Sequence, residues 1–157
     1  MTITIVRATP EQMLALWNGR FGSFVARTLR QMADGELENY QICEDGVPFG
    51  EISVVWRDSD PLEANGVDTA TLQGFRVDKA HEGRGYGGRL IRYGLDVVRE
   101  RGFRYCTIGA DDADGKRLQA MYRHLGFTER IKHSLFEYVD VDGTKKTSTY
   151  TLLRQTL

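Results

Sequence analysis

Alternation of apolar and polar residues predicts most of the strands. Five segments carry it together with β-branched or aromatic side chains: 2–8, 40–56, 69–77, 103–110 and 134–153. Two of these segments read as hairpins, because Asp45-Gly46 and Asp142-Gly143 interrupt them with dipeptides suited to tight turns. Gly74 lies inside an otherwise regular strand pattern and predicts a bulge there.

A helical period of apolar residues appears in four other segments, 9–18, 23–35, 89–102 and 114–127. Thr9 and Pro10 suit the cap and the first position of the first helix, and Gly35 and Gly126 suit the ends of the second and fourth. The resulting order, β-α-α-β-β-β-α-β-α-β-β, predicts a single mixed α/β or α+β domain over residues 1–157.

Composition narrows the functional classes. The chain of 157 residues has a formal net charge of -1, which argues against binding to nucleic acid or to an anionic membrane. It contains no apolar run near 18 residues and no signal-peptide pattern at its start, so we expect a cytoplasmic protein. Cys43 and Cys106 lie in strand-like runs, apart from any CxxC or Cys/His cluster, and predict buried thiols without a metal site.

The segment "HEGRGYGGRLI" (81–91) follows a strand and opens a helix, an arrangement that favours anion binding. Gly83, Gly85, Gly87 and Gly88 let the backbone approach a phosphate closely, and Arg84 and Arg89 add cationic donors. Three of these glycines also spell the dinucleotide fingerprint GxGxxG, although a run of parallel βα repeats is missing. A close crossing of helix and sheet is the structural alternative.

Two motifs resemble the GNAT superfamily of N-acetyltransferases. The run from Glu82 to Gly87 resembles the family's acyl-CoA loop, Q/R-x-x-G-x-G/A, and "LQAMYRHLGF" resembles its second landmark through Met121, Tyr122, Gly126 and Phe127. With the element order, the resemblance covers nearly the whole chain. It implies a mixed, mostly antiparallel seven-stranded sheet, splayed in the middle and flanked by about four helices.

The resemblance also implies acetyl-CoA as cosubstrate, without a metal. The backbone of Gly83, Arg84, Gly85, Tyr86, Gly87 and Gly88 is expected to hold the pyrophosphate. Phe75, Arg76 and Val77 are expected to run beside the pantetheine arm, in a gap between strands 69–77 and 103–110. Two positions depart from the family pattern: Glu82 replaces Gln or Arg, and Gly115 replaces an Asn often found there.

In such an enzyme, Tyr122 is expected to protonate the leaving thiolate, although a core tyrosine would fit the same helical position. A backbone N–H between Gly74 and Val77 is expected to bind the oxyanion. The residues do not decide which group acts as the general base. Thr71 stands where some members carry Glu, and the other candidates are Glu51, Asp111 and Asp112, or a path through water.

The predicted function is direct transfer of an acetyl group from acetyl-CoA to the amine of a small molecule or peptide. Acidic residues in loop 57–68 (Asp58, Asp60, Glu63 and Asp68) and after strand 103–110 (Asp111, Asp112 and Asp114) favour a cationic acceptor, unless they are merely solvated. The long C-terminal hairpin is compatible with a homodimer edge. The alternatives are a non-catalytic acyl-CoA sensor and a nucleotide-binding protein that uses the same glycine loop.

Overall fold

The computed structural model describes residues 1–113 and 116–157. Its elements are β1 (Ile3–Arg7), α1 (Pro10–Trp17), α2 (Gly22–Ala33), β2 (Leu37–Glu44), β3 (Val47–Val55), β4 (Thr69–Val77), a 3-10 turn (Lys79–His81), α3 (Tyr86–Glu100), β5 (Tyr105–Asp111), α4 (Arg117–His124), β6 (Glu129–Val139) and β7 (Lys145–Thr156). The predicted order of strands and helices is confirmed. The predicted start of the fourth helix falls partly on residues 114 and 115, outside the described residues.

The seven strands form one sheet in the order β1-β2-β3-β4-β5-β7-β6. Every neighbouring pair is antiparallel except β4 and β5, which run parallel in the middle of the sheet. The expected architecture, a mostly antiparallel seven-stranded sheet with four helices, is therefore confirmed.

Local sequence signals account for several element boundaries. The Thr9 side chain accepts a hydrogen bond from the amide of Gln12 at 3.2 Å, and the Gln12 side chain accepts one from the amide of Thr9 at 2.9 Å. This reciprocal cap starts α1. In the β2–β3 turn, Asp45 and Gly46 both have positive φ angles, 48° and 84°, as the tight turn of a two-residue hairpin requires.

The two faces of the sheet differ in chemistry. One, the apolar face, carries side chains such as Ile52, Val54, Leu72 and Ile108, which pack against α3 and α4 in the main core. The opposite polar face carries Asn39, Glu51, Ser53, Thr71 and Thr107, all nearly buried. Trp17 of α1 covers part of the polar face through a hydrogen bond to Glu51. Buried polar groups of this kind need hydrogen-bond partners.

Cys43 and Cys106 are both buried and unbridged, as the sequence predicts. Across residues 1–113 and 116–157, no helix is long and apolar enough to cross a membrane. The same described residues hold no group of three or more His, Cys, Asp or Glu side chains that would suit a metal ion.

Candidate active site

The two central strands separate partway along their length. Hydrogen-bonded pairing of β4 with β5 runs from Thr69 opposite Tyr105 to Leu72 opposite Ile108. Both strands then continue, β4 to Val77 and β5 to Asp111, without pairing to each other. The edge of β4 beyond Leu72 therefore presents unpaired backbone groups to a gap in the middle of the sheet. This separation of β4 from β5 is the splay predicted for the middle of the sheet.

A bulge in β4 lies at the start of the gap. Ser53 of β3 is opposite Gln73, whereas Glu51, only two residues earlier, is opposite Arg76. β4 therefore contains one residue more than β3 in this stretch, and Gly74 adopts a positive φ of 62° there. This confirms the predicted bulge. Because the bulge shifts the alternation, the Arg76 side chain follows Gln73 onto the polar face.

The glycine loop forms an open backbone turn ahead of α3. Gly83 and Gly85 have φ angles of 75° and 83°, and no atom lies within 4 Å of a Cβ built at either position. The first backbone hydrogen bond of the following turn runs from the Arg89 amide to the Gly85 carbonyl at 3.1 Å. Among the described residues, the amides of Tyr86, Gly87 and Gly88 have no acceptor. Free amides at a helix start, in open space, suit a phosphate.

The prediction that the third helix begins at Arg89 is wrong. α3 begins at Tyr86, so Gly87 and Gly88 form part of its first turn. Low helix propensity argued against a glycine-rich start. The structure supplies a packing reason instead, because a Cβ built at Gly87 would lie 3.0 Å from Cζ of Phe75. The close crossing of helix and sheet and the open amides therefore occur together at this turn.

An aromatic contact anchors the beginning of the loop. The His81 ring stacks on Phe49 with centroids 3.9 Å apart and planes inclined by 12°. Its Nε2 lies 3.0 Å from the Glu44 carboxylate, and the Asp78 amide donates to the Phe49 carbonyl at 2.7 Å. Tyr86 meets Phe49 edge-on at 5.1 Å. These contacts fix both ends of the loop against β2 and β3.

The charged side chains of the loop are exposed. Glu82, Arg84 and Arg89 lie in solvent, and none of them forms an ion pair within the described part of the chain. Glu82 closes the 3-10 turn with extended backbone angles, φ -66° and ψ 154°. The carboxylate at this position, where the resemblance implies Gln or Arg, therefore lies in solvent at the start of the glycine loop, without an ion-pair partner among the described residues.

Tyr122 of α4 lies at the other side of the gap. Its side chain is buried, and its ring lies 6.3 Å from Phe75 and 6.3 Å from Phe127 between centroids, edge-on to both. Gly126, with a φ of 104°, ends the turn after α4 and lets Phe127 fold back. The structure thus joins both sequence motifs through Phe75, which contacts Gly87 of the loop and Tyr122 of the second motif.

Glu51 is held by three donors. Its Oε1 accepts from Nε1 of Trp17 at 2.9 Å and from Nδ2 of Asn39 at 3.0 Å, and its Oε2 pairs with Nε of Arg76 at 2.5 Å. The Glu51 side chain is only 3% exposed. The pair also holds the Arg76 side chain on the polar face. A carboxylate saturated with donors in this way is suited to fixing β3, β4 and α1 together rather than to accepting a proton.

The aspartates after β5 are engaged as well. Asp111 accepts hydrogen bonds from the Ala113 amide at 2.8 Å and from the Ser148 hydroxyl at 3.1 Å. Hydrogen bonds from His133 and Thr149 hold the pKa of Asp112 below its usual range. These contacts brace the end of β5 against the β6–β7 hairpin. Asp114 and Gly115, named in the sequence analysis, lie outside the described residues.

Glu63 is the carboxylate that sequence reasoning did not single out. Burial raises its pKa above the ordinary glutamate value, and the charge of Asp58 raises it further. The sequence showed only an acidic loop, in which Asp58, Asp60, Glu63 and Asp68 look alike. Nothing in the local pattern reveals that this loop folds across the polar face.

Comparisons with known proteins identify the family and the fold. The family model described as "Acetyltransferase (GNAT) family" matches residues 10–127. A search of curated proteins finds no match. Among solved structures, the chain is similar to the ribosomal-protein-S18-alanine N-acetyltransferase of Escherichia coli, with a TM-score of 0.72, 19% identity, and 99% of this chain and 94% of that chain covered.

Two further solved structures share the fold. A GNAT family acetyltransferase from Elizabethkingia anophelis with acetyl-CoA bound has a TM-score of 0.69 and 16% identity, covering 99% of this chain and 98% of that chain. An IAA acetyltransferase from Bacillus cereus has a TM-score of 0.67 and 17% identity, covering 99% and 100%. At these identities the likeness to solved structures is one of fold.

Proposed function

Because the chain belongs to the GNAT family of acetyltransferases, we propose that it moves an acetyl group from acetyl-CoA to a primary amine by direct transfer. Residues 1–157 act as a single catalytic domain in this proposal. The observation that carries it is the gap between β4 and β5, which lies between the open glycine loop and Tyr122. A nucleotide bound at the same loop would leave the gap and Tyr122 without a role.

The cosubstrate fits this gap in one direction. The pyrophosphate lies on the amides from Gly83 to Gly88, with Arg84 free to approach it from solvent. The pantetheine arm, which carries two amides, pairs with the unpaired backbone of Phe75, Arg76 and Val77 in place of a neighbouring strand. The thioester then reaches the bulge at Gly74, where the two strands begin to separate.

In this proposal, Tyr122 is the proton donor to sulfur. When the amine nitrogen attacks the thioester carbonyl, a C–N bond forms and the carbonyl oxygen becomes an oxyanion, which a β4 amide near Gly74 stabilises. The C–S bond then breaks, and Tyr122 gives its proton to the departing thiolate. The nitrogen, which still carries its extra proton, restores the Tyr122 hydroxyl. The products are the acetylated amide and CoA.

The acceptor approaches from the polar face. A shallow cavity of about 220 Å³ lies on that side of the sheet, between α2 and the β6–β7 hairpin, with Phe24 and Tyr138 among its lining residues. Acidic side chains border the same face in loop 57–68 and at the end of β5. We therefore propose a cationic primary amine, presented by a small molecule or a peptide, as the acceptor.

A free-thiol assay tests this function. Purified protein is mixed with acetyl-CoA and with spermidine, kanamycin, tyramine, lysine or an unblocked peptide, and product is identified by mass spectrometry. We expect one class of amine to release CoA together with an equal amount of the N-acetylated product. Binding of acetyl-CoA without thiol release from any amine would contradict the proposal and support the sensor alternative.

A further inference from the structure

Loop 57–68 is fastened across the polar face at the edge of the gap. The Thr107 hydroxyl of β5 donates to the backbone carbonyl of Glu63 at 2.8 Å. The Gln73 side chain of β4 donates to the Asp58 carboxylate at 2.7 Å. Gln73 is the last β4 residue before the bulge, so this bond holds the loop at the height where the two strands separate. The loop thus reaches both strands at the border of the gap.

Tyr150 carries the connection from Glu63 to the gap. The Tyr150 ring lies over Gly109, where a built Cβ would approach Cδ2 of the ring to 3.1 Å. Gly109 is the first β5 residue beyond the last β4–β5 pair, so the ring borders the opening. The Tyr150 side chain lies close enough to the Glu63 carboxyl and to the Lys132 ammonium to affect the pKa of each. The Lys132 ammonium lies 5.6 Å from the centre of the Tyr150 ring and pairs with Asp60. Tyr150 therefore connects the carboxyl of Glu63 to the border of the gap.

Charged and titratable neighbours from three elements surround the carboxyl of Glu63. Burial is the main cause that raises its pKa, the charges of Asp58 and Asp60 add to the rise, and Lys132 and the Tyr150 hydrogen bond act against it. Glu51, Asp111 and Asp112 are instead fixed by the donors described above. Glu63 combines a position beside the gap with a pKa that burial raises above its ordinary value.

An aromatic row leads from the surface to this point. Tyr138 and Phe136 of β6 lie 5.7 Å apart between ring centroids, and Phe136 lies 5.7 Å from Tyr150. Tyr138 lines the cavity beside α2, and Tyr150 ends the row at Gly109. The faces of such rings attract an ammonium group. An amine that follows the row meets the Glu63–Tyr150 pair before it reaches the thioester.

We propose that Glu63 is the base of the reaction and takes a proton from the acceptor's ammonium group at the border of the β4–β5 gap. The step converts the ammonium and the carboxylate into a neutral amine and a carboxylic acid. The freed lone pair then attacks the thioester carbon. Glu63 returns its proton to solvent after the product leaves. This inference rests on the proposed function and adds the identity of its base.

The test compares Glu63→Gln with the unchanged protein across pH. The amine of the panel that turns over fastest serves as probe, and kcat/KM for it is measured from about pH 6 to about pH 9.5. Loss of a general base lowers the rate by about 100-fold or more near pH 7. This loss of kcat/KM becomes smaller as the pH approaches about 10, because a growing fraction of an alkylamine is then already deprotonated in solution. The Kd for acetyl-CoA, measured by calorimetry, stays unchanged.

Two companion variants make the result specific. Glu100→Gln, on the exposed last residue of α3, removes the same charge far from the gap and leaves the pH profile unchanged. Glu63→Asp keeps a carboxylate and restores part of the rate at neutral pH. If the loss of kcat/KM in Glu63→Gln is constant across pH, or if there is no loss, the role of Glu63 is overturned while the proposed function stands. Absence of turnover with every amine, despite acetyl-CoA binding, overturns the proposed function and this inference with it.

Discussion

Substitution of Gly87 by Asp separates folding from binding at the glycine loop. Gly87 is the second residue of α3, and its amide has no acceptor among the described residues. A carboxylate in the first turn of a helix stabilises the helix by about 0.3–1 kcal/mol. Against this gain, the new Cβ lies 3.0 Å from Cζ of Phe75, and the ring must shift by a few tenths of an ångström at a cost of about 1 kcal/mol. The two effects nearly cancel.

Binding is affected far more than stability. For the Coulomb energy we take about 5 Å as the separation between this carboxylate and each of two negative charges on a pyrophosphate at the loop amides. Coulomb repulsion there is about 2 kcal/mol at the dielectric constant of water and about 7 kcal/mol at the value of about 20 that suits a protein surface. Even the lower figure weakens binding by more than about tenfold, and loss of the amide contact adds to it.

Calorimetry with acetyl-CoA and thermal denaturation give the two readouts. We expect Gly87→Asp to melt close to the unchanged protein and to lose measurable acetyl-CoA affinity. Gly22→Asp is the matched control, because Gly22 is the first residue of α2 and a Cβ there meets no atom within 4 Å. It should bind acetyl-CoA normally. Normal binding by Gly87→Asp, or an equal loss in Gly22→Asp, would refute the assignment of the loop.

Three further predictions address single side chains. Tyr122→Phe should lower kcat by about tenfold or more and leave the acetyl-CoA Kd unchanged, because the hydroxyl that protonates the thiolate is removed. An unchanged kcat would make Tyr122 a core residue only. Glu82→Gln should strengthen acetyl-CoA binding by about threefold at low salt and by less at high salt, since an exposed carboxylate near the pyrophosphate is removed. A higher Kd for the variant in calorimetry would show that Glu82 assists binding. The difference in Tm between Glu63→Gln and the unchanged protein should shift in favour of Glu63→Gln as pH rises from about 4 to about 7. Because the pKa of Glu63 is raised in the folded state, folding favours its protonated form. The unchanged protein therefore loses stability as pH rises through the folded pKa, whereas Glu63→Gln does not. A Tm difference independent of pH would contradict this.

The sequence predicts the elements well where the signal is local. Thr9 with Gln12 caps α1 through contacts within one turn, and Asp45-Gly46 determines a hairpin by backbone conformation alone. The bulge at Gly74 is visible for the same reason. Such signals need no knowledge of distant neighbours.

The first turn of α3 shows the limit of local propensity. Gly87 lowers the predicted helicity of the segment, yet Phe75 lies against it from β4, and its ring would have to shift to admit a larger residue. The helix therefore begins at Tyr86, because tertiary packing outweighs a propensity difference of about 1 kcal/mol per residue. The motif resemblance selects the loop whose backbone is open in the structure, although not the point where α3 begins.

For the carboxylates of the site, the local sequence is even less informative, because their environment is set by residues distant along the chain. Glu51 looked available in the sequence and is locked by Trp17, Asn39 and Arg76, which are distant along the chain. Glu63 looked like a loop residue and is drawn across the polar face by Thr107. Whether a carboxylate is saturated with donors or held ready for a proton depends on these distant partners.

The most direct test of the central claim is a titration of ¹⁵N-labelled protein with acetyl-CoA, followed by backbone amide chemical shifts. We predict the largest changes at Gly83–Gly88 and at Phe75–Val77, with smaller changes along the facing part of β5. These are the amides that the pyrophosphate and the pantetheine arm would contact. Changes confined to other surfaces, with both of these segments unmoved, would contradict the account.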